Sequence, residues 1–390
     1  MNQSFKPLSL SVLLLIIHLM QGHFYSIYGH TVVDSFSQNP DLLVLFWNLE
    51  NFFDYKDGGK GESDKEFSSC GSRRWTKKRF QAKCNAVAKS IYWMKDRYGH
   101  LPDIIGLAEI ENSNVLYRLL KDTALKKTDY AFVHFDGSDR RGIDVALLYR
   151  KSLMTPVSVT RKLPVCVDSS ELAYLHLPEQ GGPPSVRYFS DTLRTREILH
   201  VAMRMNPSMG LSSKMDFIVN HHPSKYGGEE ESRAKRMAAM ATLKELCDSL
   251  RGARAGGDMI VAMGDFNDTP DSEAFALMEG VMVNKGMELH EKGLGSIRFR
   301  GKWDLIDMFM VSPSLDNDEG KGDNVGKGTG RGVEDRVIRS VMLVEKIPFL
   351  MVRDSAHPGE NPLRTYSGPR YIGGVSDHCP VSLCIFCGND

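Results

Sequence analysis

At 390 residues, with 42% hydrophobic, 25% charged and 9% aromatic residues, the chain has an ordinary globular composition, which excludes disorder throughout and a multi-span membrane protein. Lys and Arg total 49 and Asp and Glu total 49, so no whole-molecule basic field draws in nucleic acid, and any polyanion contact must be local. The length suits one large domain or two smaller ones, and the order of the motifs below favours one.

Residues 1–29 differ from the rest. Lys6 is their only charge, and 8–20 is an apolar run broken only by Ser9, Ser11 and His18, shorter than the roughly 20 apolar residues that a bilayer span needs. A positive start, a short apolar core and small residues at Gly22, Ser26 and Gly29 predict a secretory signal peptide over 1–29, with a domain from 30 to 390 that is secreted or periplasmic. Short apolar, β-branched or aromatic runs then predict strands at 42–47, 103–107, 131–135, 143–149, 198–205, 217–219, 259–263, 305–311, 337–344 and 381–386. Helices are expected at 83–96, 113–122, 231–250 and 271–278, the last introduced by Thr269-Pro270 as cap and first-turn proline. The elements do not alternate as a βαβ series, which points to an α/β sandwich of two packed sheets with helices outside. Segments 178–185, 251–257 and 314–336 read as surface loops. The cluster from Arg73 to Arg79 around Trp75 reads either as a nucleic-acid track or as a solvated loop leading into the helix at Lys83.

Seven cysteines are too few and too scattered for a disulfide-built scaffold, and the odd number leaves at least one unpaired. A Cys70–Cys84 bridge is compatible with export, whereas Cys384 and Cys387 form a lone CxxC without the second pair a zinc site wants.

Polar and acidic groups fall at the ends of the expected strands, where several strands can converge on one cleft. The sites are Asn48 after Trp47, Glu109 after Ala108, Asn220-His221-His222, Gly264-Asp265-Phe266-Asn267, Ile306-Asp307 and Ser376-Asp377-His378. Each alone has a plain reading as a cap, an Asx-turn or a packing histidine. Together, carboxylates and amides are hard oxygen ligands for Mg²⁺ or Ca²⁺, while His221 and His222 are adjacent rather than at the helical spacing of a zinc protease.

This ordered set resembles the endonuclease/exonuclease/phosphatase superfamily, over roughly residues 40–387. The resemblance implies a four-layer α/β sandwich of two packed mixed β-sheets flanked by helices, and a metal-dependent phosphoric ester hydrolase. It implies Asn48, Glu109 and, more weakly, Asp377 as ligands of Mg²⁺, with Mn²⁺ or Ca²⁺ as alternatives. It also implies a His378–Asp307 pair, Asp265 orienting or deprotonating water, and His221 and Asn267 donating to phosphoryl oxygens. One departure is Ala108, where many members carry Gln. Further signatures, Asn51-Phe52-Phe53-Asp54, Arg141-Gly142-Ile143-Asp144 and His222-Pro223-Ser224-Lys225, are similar to an exported bacterial branch.

Arg141, Lys225 and Arg300 lie beside these motifs and are expected to meet substrate phosphate, and Asp144, inside an apolar strand, is expected to face a cationic partner in the cleft. The expected activity is that of an exported endonuclease on DNA or RNA. The alternative is a phosphatase or phosphodiesterase acting on phospholipid headgroups, inositol phosphates or other small esters, since one core serves all of these. A degenerate, non-enzymatic member is disfavoured because no position of the set is missing. No protein partner is implied.

Overall fold

The computed structural model describes residues 39–59, 61–164, 195–209, 214–225, 228–252, 258–316 and 337–388. The expected signal peptide, Cys166, the loop at 178–185 and most of the loops at 251–257 and 314–336 lie outside the described residues. Two six-stranded sheets carry the architecture. The first contains β1 (Leu42–Phe52), β2 (Ile104–Ile110), β3 (Tyr130–His134), β4 (Asp144–Arg150), β11 (Val337–Val344) and β12 (Val381–Gly388) in the order β11-β12-β1-β2-β4-β3. The second contains β5 (Met154–Lys162), β6 (Ile198–Met205), β7 (Lys214–His221), β8 (Ile260–Asp265), β9 (Val283–Asn284) and β10 (Asp307–Val311) in the order β5-β6-β7-β8-β10-β9.

Each sheet is mixed. β1 pairs parallel with β2 and β7 pairs parallel with β8, and the other pairings are antiparallel. Alternate residues of the central strands, Val44 and Phe46 from one sheet and Phe217, Val219 and Met263 from the other, join one buried cluster between the sheets. The residues of opposite parity, Leu43, Leu45, Ile105 and Leu107, are equally buried on the outer face, which the helices cover. These are α1 (Lys77–Tyr98), α2 (Ser113–Lys121) and α3 (Glu229–Gly252), with two short helices at Glu273–Ala276 and Met287–Glu291. Met240, Leu243 and Cys247 of α3 join the core cluster. The expected four-layer α/β sandwich is the observed fold, and no helix among the described residues is long and apolar enough to cross a membrane.

Several local expectations are corrected. β5 escaped the pattern because it is an edge strand with mostly exposed residues, and Pro156 sits at a register shift, where a missing N–H is tolerated. α1 begins at Lys77, not Lys83: the Thr76 side chain accepts from Arg79 N–H and caps it. The Arg73–Arg79 stretch is solvated only in part: Arg74, Lys77 and Lys78 are exposed, but Trp75 is buried, Arg73 lies over the Tyr366 ring and Arg79 over the Tyr371 ring. The helix expected at 271–278 narrows to Glu273–Ala276 with Ser272 at its start, while the Thr269 hydroxyl donates to Asp271 instead of capping. Cys70 and Cys84 are both free, with Cys84 buried in α1 and its thiol pushed up to about 12 by burial.

Candidate active site

The carboxyl ends of the two parallel pairs supply the site. In the second sheet Asn220 lies opposite Gly264 and His221 opposite Asp265. Gly264 permits that approach, because a Cβ there would fall 2.6 Å from both Cβ and the carbonyl oxygen of Asn220. In the first sheet β1 shifts register between Asn48 and Phe52, and β2 between Ala108 and Ile110. At these bulges Glu50 (φ 42°), Asn51 (φ 52°) and Glu109 (φ 63°) take left-handed backbone, strain of the kind that clusters where side chains are aimed at a function. The Glu109 carboxylate is aimed in this way. Its Oε2 accepts from Asn51 N–H at 2.6 Å, and its Oε1 faces Arg141 at 3.8 Å and His221 Nε2 at 3.9 Å.

Asp265 is the hub. Its Oδ2 accepts from Asn48 Nδ2 at 2.9 Å and lies 3.5 Å from His221 Nε2 and 3.9 Å from His378 Nε2, while Oδ1 accepts from Asn267 N–H at 3.0 Å. His378 Nδ1–H donates to Asp307 Oδ2 at 2.6 Å, and the Ser296 hydroxyl donates to the same oxygen at 2.6 Å. The loop carrying His378 is tied to β1 by the Trp47 indole, which donates to the His378 carbonyl, and by the Ser376 hydroxyl, which donates to the Asn48 carbonyl.

Burial pushes Asp265 up to about 7, with the charge of Asp307 adding to it and His378 opposing. The two histidines go opposite ways. Burial drives His221 well below its usual range, and the positive charges of Arg196 and Arg141 reinforce it. Burial also opposes a charged His378, yet Asp307, followed by Asp265 and Asp377, outweighs that and holds the imidazolium well above its usual range. At neutral pH a neutral imidazole and a charged one therefore flank a single buried carboxylate.

Asn48, Glu109, His221, Asp265, Asn267, Asp307 and His378 are thus brought together. Asn267 spends one amide N–H on the His222 carbonyl, which also accepts from Arg196, and the His222 ring packs edge-on against Phe266. Asp377 is held 3.0 Å from Arg364 and 3.9 Å from His378 Nε2. Arg141 stands at the rim, half-exposed, near Glu109. Lys225 is engaged by Asp268 at 3.1 Å and Glu229 at 3.0 Å. Arg300 lies at the tip of a hairpin, Ile297–Phe299 with Lys302–Asp304, next to the exposed Phe299.

Among the described residues Asp144 pairs with no Lys or Arg: it accepts from Gly137 N–H at 3.0 Å, and the basic group beside it is His134, 3.8 Å away and pushed down to about 4 by burial, which with Asp136 makes a group close enough to hold a metal cation. Burial pushes Asp144 itself up to about 7, so a proton relieves the carboxyl where no cation does.

Sequence reasoning passed over three groups. Arg364 binds Glu50 at 2.6 Å as well as Asp377, Ser296 orients Asp307, and the buried Lys83 ammonium donates to the Glu50 carbonyl at 2.7 Å and to Thr365. Only Lys83 left a signal, a lysine inside the apolar stripe of Phe80, Cys84 and Val87.

Among the described residues, two groups of His and Asp are close enough to hold a divalent ion, Asp265 with Asp307 and His378, and His134 with Asp136 and Asp144. The Asn48 and Glu109 oxygens beside the first group fit a hard cation as well, because Glu109 Oε1 is turned into the cleft beyond hydrogen-bond reach of Arg141 and His221. A family model described as Endonuclease/Exonuclease/phosphatase family matches residues 43–173 and 184–386. The chain belongs to the endonuclease/exonuclease/phosphatase family. Like the site just described, this membership makes it a metal-assisted hydrolase of phosphate esters. No curated protein matches the chain. Among solved structures, the human Nocturnin catalytic domain with bound sulfate is similar at 13% identity and a TM-score of 0.49, covering 90% of this chain and 96% of that one. A mannosyl-6-phosphatase of Bacteroides thetaiotaomicron is similar at 14% identity and 0.48, covering 88% and 99%. TDP2 of D. rerio complexed with single strand DNA product is similar at 13% and 0.46, covering 88% and 98%.

Proposed function

We propose that the protein is an exported, Mg²⁺-dependent phosphodiesterase that cleaves nucleic acid internally. The observation that carries diester hydrolysis is the Asp265 carboxylate flanked by a neutral and a charged imidazole, at 3.5 Å and 3.9 Å. Asn48 and Glu109 would hold the ion, with Asp377 beside them, and the bound ion would supply charge neutralisation at the phosphoryl oxygens.

Asp265 holds the attacking water and, near its shifted pKa, accepts its proton. His221, neutral, and the Asn267 amide donate hydrogen bonds as charge builds on the phosphoryl oxygens. His378, kept charged by Asp307, stabilises that charge from the opposite side. Arg141 stands where a second phosphate-facing cation is needed.

Nucleic acid is favoured over smaller esters by the hairpin bearing Phe299 and Arg300. Phe299 is 65% exposed, Arg300 lies over its ring, and the base of the hairpin bridges His378 through Ile297, so a stacking surface and a cation project from the reacting centre. A small phosphate ester is the second reading, favoured by a second cavity, of about 540 Å³, next to Arg140 and Gly142 and lined by Glu62, Glu111, Asp136, Asp139 and Asp144, carboxyl groups that suit hydroxyls better than a polyanion.

Nicking of supercoiled plasmid by the purified protein with Mg²⁺, abolished by a chelator and by Asp265→Ala, is the expected result. Absence of nicking together with Mg²⁺-dependent release of phosphate from sugar or inositol phosphates would move the assignment to the second reading. Export rests on the Lys6 start and the apolar run at 8–20, and the exported bacterial branch on the Arg141-Gly142-Ile143-Asp144 and His222-Pro223-Ser224-Lys225 signatures. N-terminal sequencing of protein recovered outside the cytoplasm should begin near residue 30; an intact Met1 would refute the leader.

A further inference from the structure

Between β1 and α1, residues 54–59 and 61–64 lie against the end of β2. Asp54 N–H donates to Glu111 Oε2 at 2.6 Å, and the Asp54 carboxylate accepts from Lys56 N–H at 2.7 Å and Asn114 Nδ2 at 2.9 Å. Asp64 Oδ2 accepts from the N–H groups of Gly58 and Gly59 at 2.9 and 2.8 Å. Asp64 and Glu111 have therefore each spent one oxygen on the loop backbone. Their other oxygens, Asp64 Oδ1 and Glu111 Oε1, meet no donor among the described residues and have only each other, although the two residues are only 1% and 7% exposed.

The two bare oxygens converge. A Cβ on Gly59 would lie 2.9 Å from Glu111 Oε1 and 3.3 Å from Asp64 Oδ1, so the missing side chain leaves a cradle in front of both, and Gly59 itself is open to solvent. Two buried carboxyl oxygens facing one space carry a large desolvation cost unless a cation or a shared proton offsets it, and without an ion, burial, followed by the hydrogen bond shared with Asp64, pushes Glu111 up to about 9. The neighbouring Arg140 is committed elsewhere, to both oxygens of Glu62 at 3.0 and 2.9 Å.

We propose that Asp64 Oδ1 and Glu111 Oε1 hold a hard divalent cation, calcium or magnesium, in front of Gly59, at a site separate from the one at Glu109. All-oxygen donors and a loop able to add carbonyl or water ligands define that class of ion. The cation clamps Gly58, Gly59 and Asp64 to the end of β2. From there the clamp reaches the cleft: Glu62 N–H donates to the Arg140 carbonyl at 2.8 Å, and Gly61 packs so closely that a Cβ on it would fall 2.3 Å from the Arg141 carbonyl. The ion thus positions the backbone from which Arg141 faces Glu109.

The test uses the full chain stripped with chelator, then titrated separately with Ca²⁺ and Mg²⁺ while melting temperature and ion stoichiometry are measured. The wild type should gain about 4 °C at saturation, and Glu111→Gln should bind one ion fewer and lose most of that gain. Gln at 111 keeps the length and gives Asp64 a donor, so the variant should fold without the ion. Gly59→Ala, which fills the cradle, should weaken the same binding at least tenfold. The stronger of the two cations identifies the occupant. Wild-type stoichiometry and melting gain retained in both variants would overturn the proposal, as would a wild type that binds no ion lost in Glu111→Gln, the result expected if the two carboxyls merely share a proton.

Discussion

Asp307 and His378 come from opposite sheets and meet at 2.6 Å, Asp307 opening β10 of the second sheet and His378 preceding β12 of the first. The contact fixes which imidazole nitrogen faces Asp265 and keeps the ring charged. Asp307→Asn should leave the fold intact while lowering kcat by about 10²–10⁴-fold. A steady-state assay read beside an unchanged melting curve would check this, and near-normal turnover would sink the role given to the pair.

Glu109 has one oxygen bound to the Asn51 N–H and one facing the cleft. Glu109→Gln preserves the shape and removes the charge, so the Mg²⁺ concentration for half-maximal activity should rise by at least about tenfold. An unchanged metal requirement would place the ion elsewhere.

His222 is buried and pushed down to about 3, first by burial and then by the charges of Arg196 and Arg236. An unfolded imidazole takes up its proton near 6.5, so between roughly pH 6.5 and 3 the unfolded state binds a proton that the folded state refuses. Stability is therefore present above pH 6.5 and is lost as pH falls, by at most about 1.4 kcal/mol per pH unit for this group. Urea midpoints of the chelated protein from pH 7 to 4.5 should fall, with a shallower slope in His222→Asn; equal slopes would refute the assignment.

Phe217 is fully buried between the sheets. Phe217→Ala should cost about 3–5 kcal/mol of stability by lost burial and a residual cavity, measurable as a lower denaturant midpoint at constant slope.

The sandwich was legible because its central strands are unbroken apolar runs, and the site because its residues sit where those runs stop. Asn48, Glu109, His221 and Asp265 stand at such ends, and the family resemblance supplied the roles that position alone left open. What escaped was set by tertiary packing. The neighbour of Asp144 is His134 rather than a Lys or Arg, and burial can also be relieved by a proton, which leaves no trace in a sequence. Ser296 and Arg364 lie in turns without periodicity, and their partners Asp307, Glu50 and Asp377 are distant along the chain. β5, polar and at an edge, carries no burial pattern to read.

The hydrogen bond from Asn48 to Asp265, like the one from His378 to Asp307, ties the end of one sheet to the end of the other. Neither sheet owns a working set of groups, so the reacting centre acts as a gauge of how the two slabs are aligned. A slip of a fraction of an ångström between them, too small to register in secondary structure, would separate donor from acceptor. Catalysis should accordingly fail before circular dichroism does as denaturant rises, and substitutions buried between the slabs, far from any substrate, should be read first in turnover.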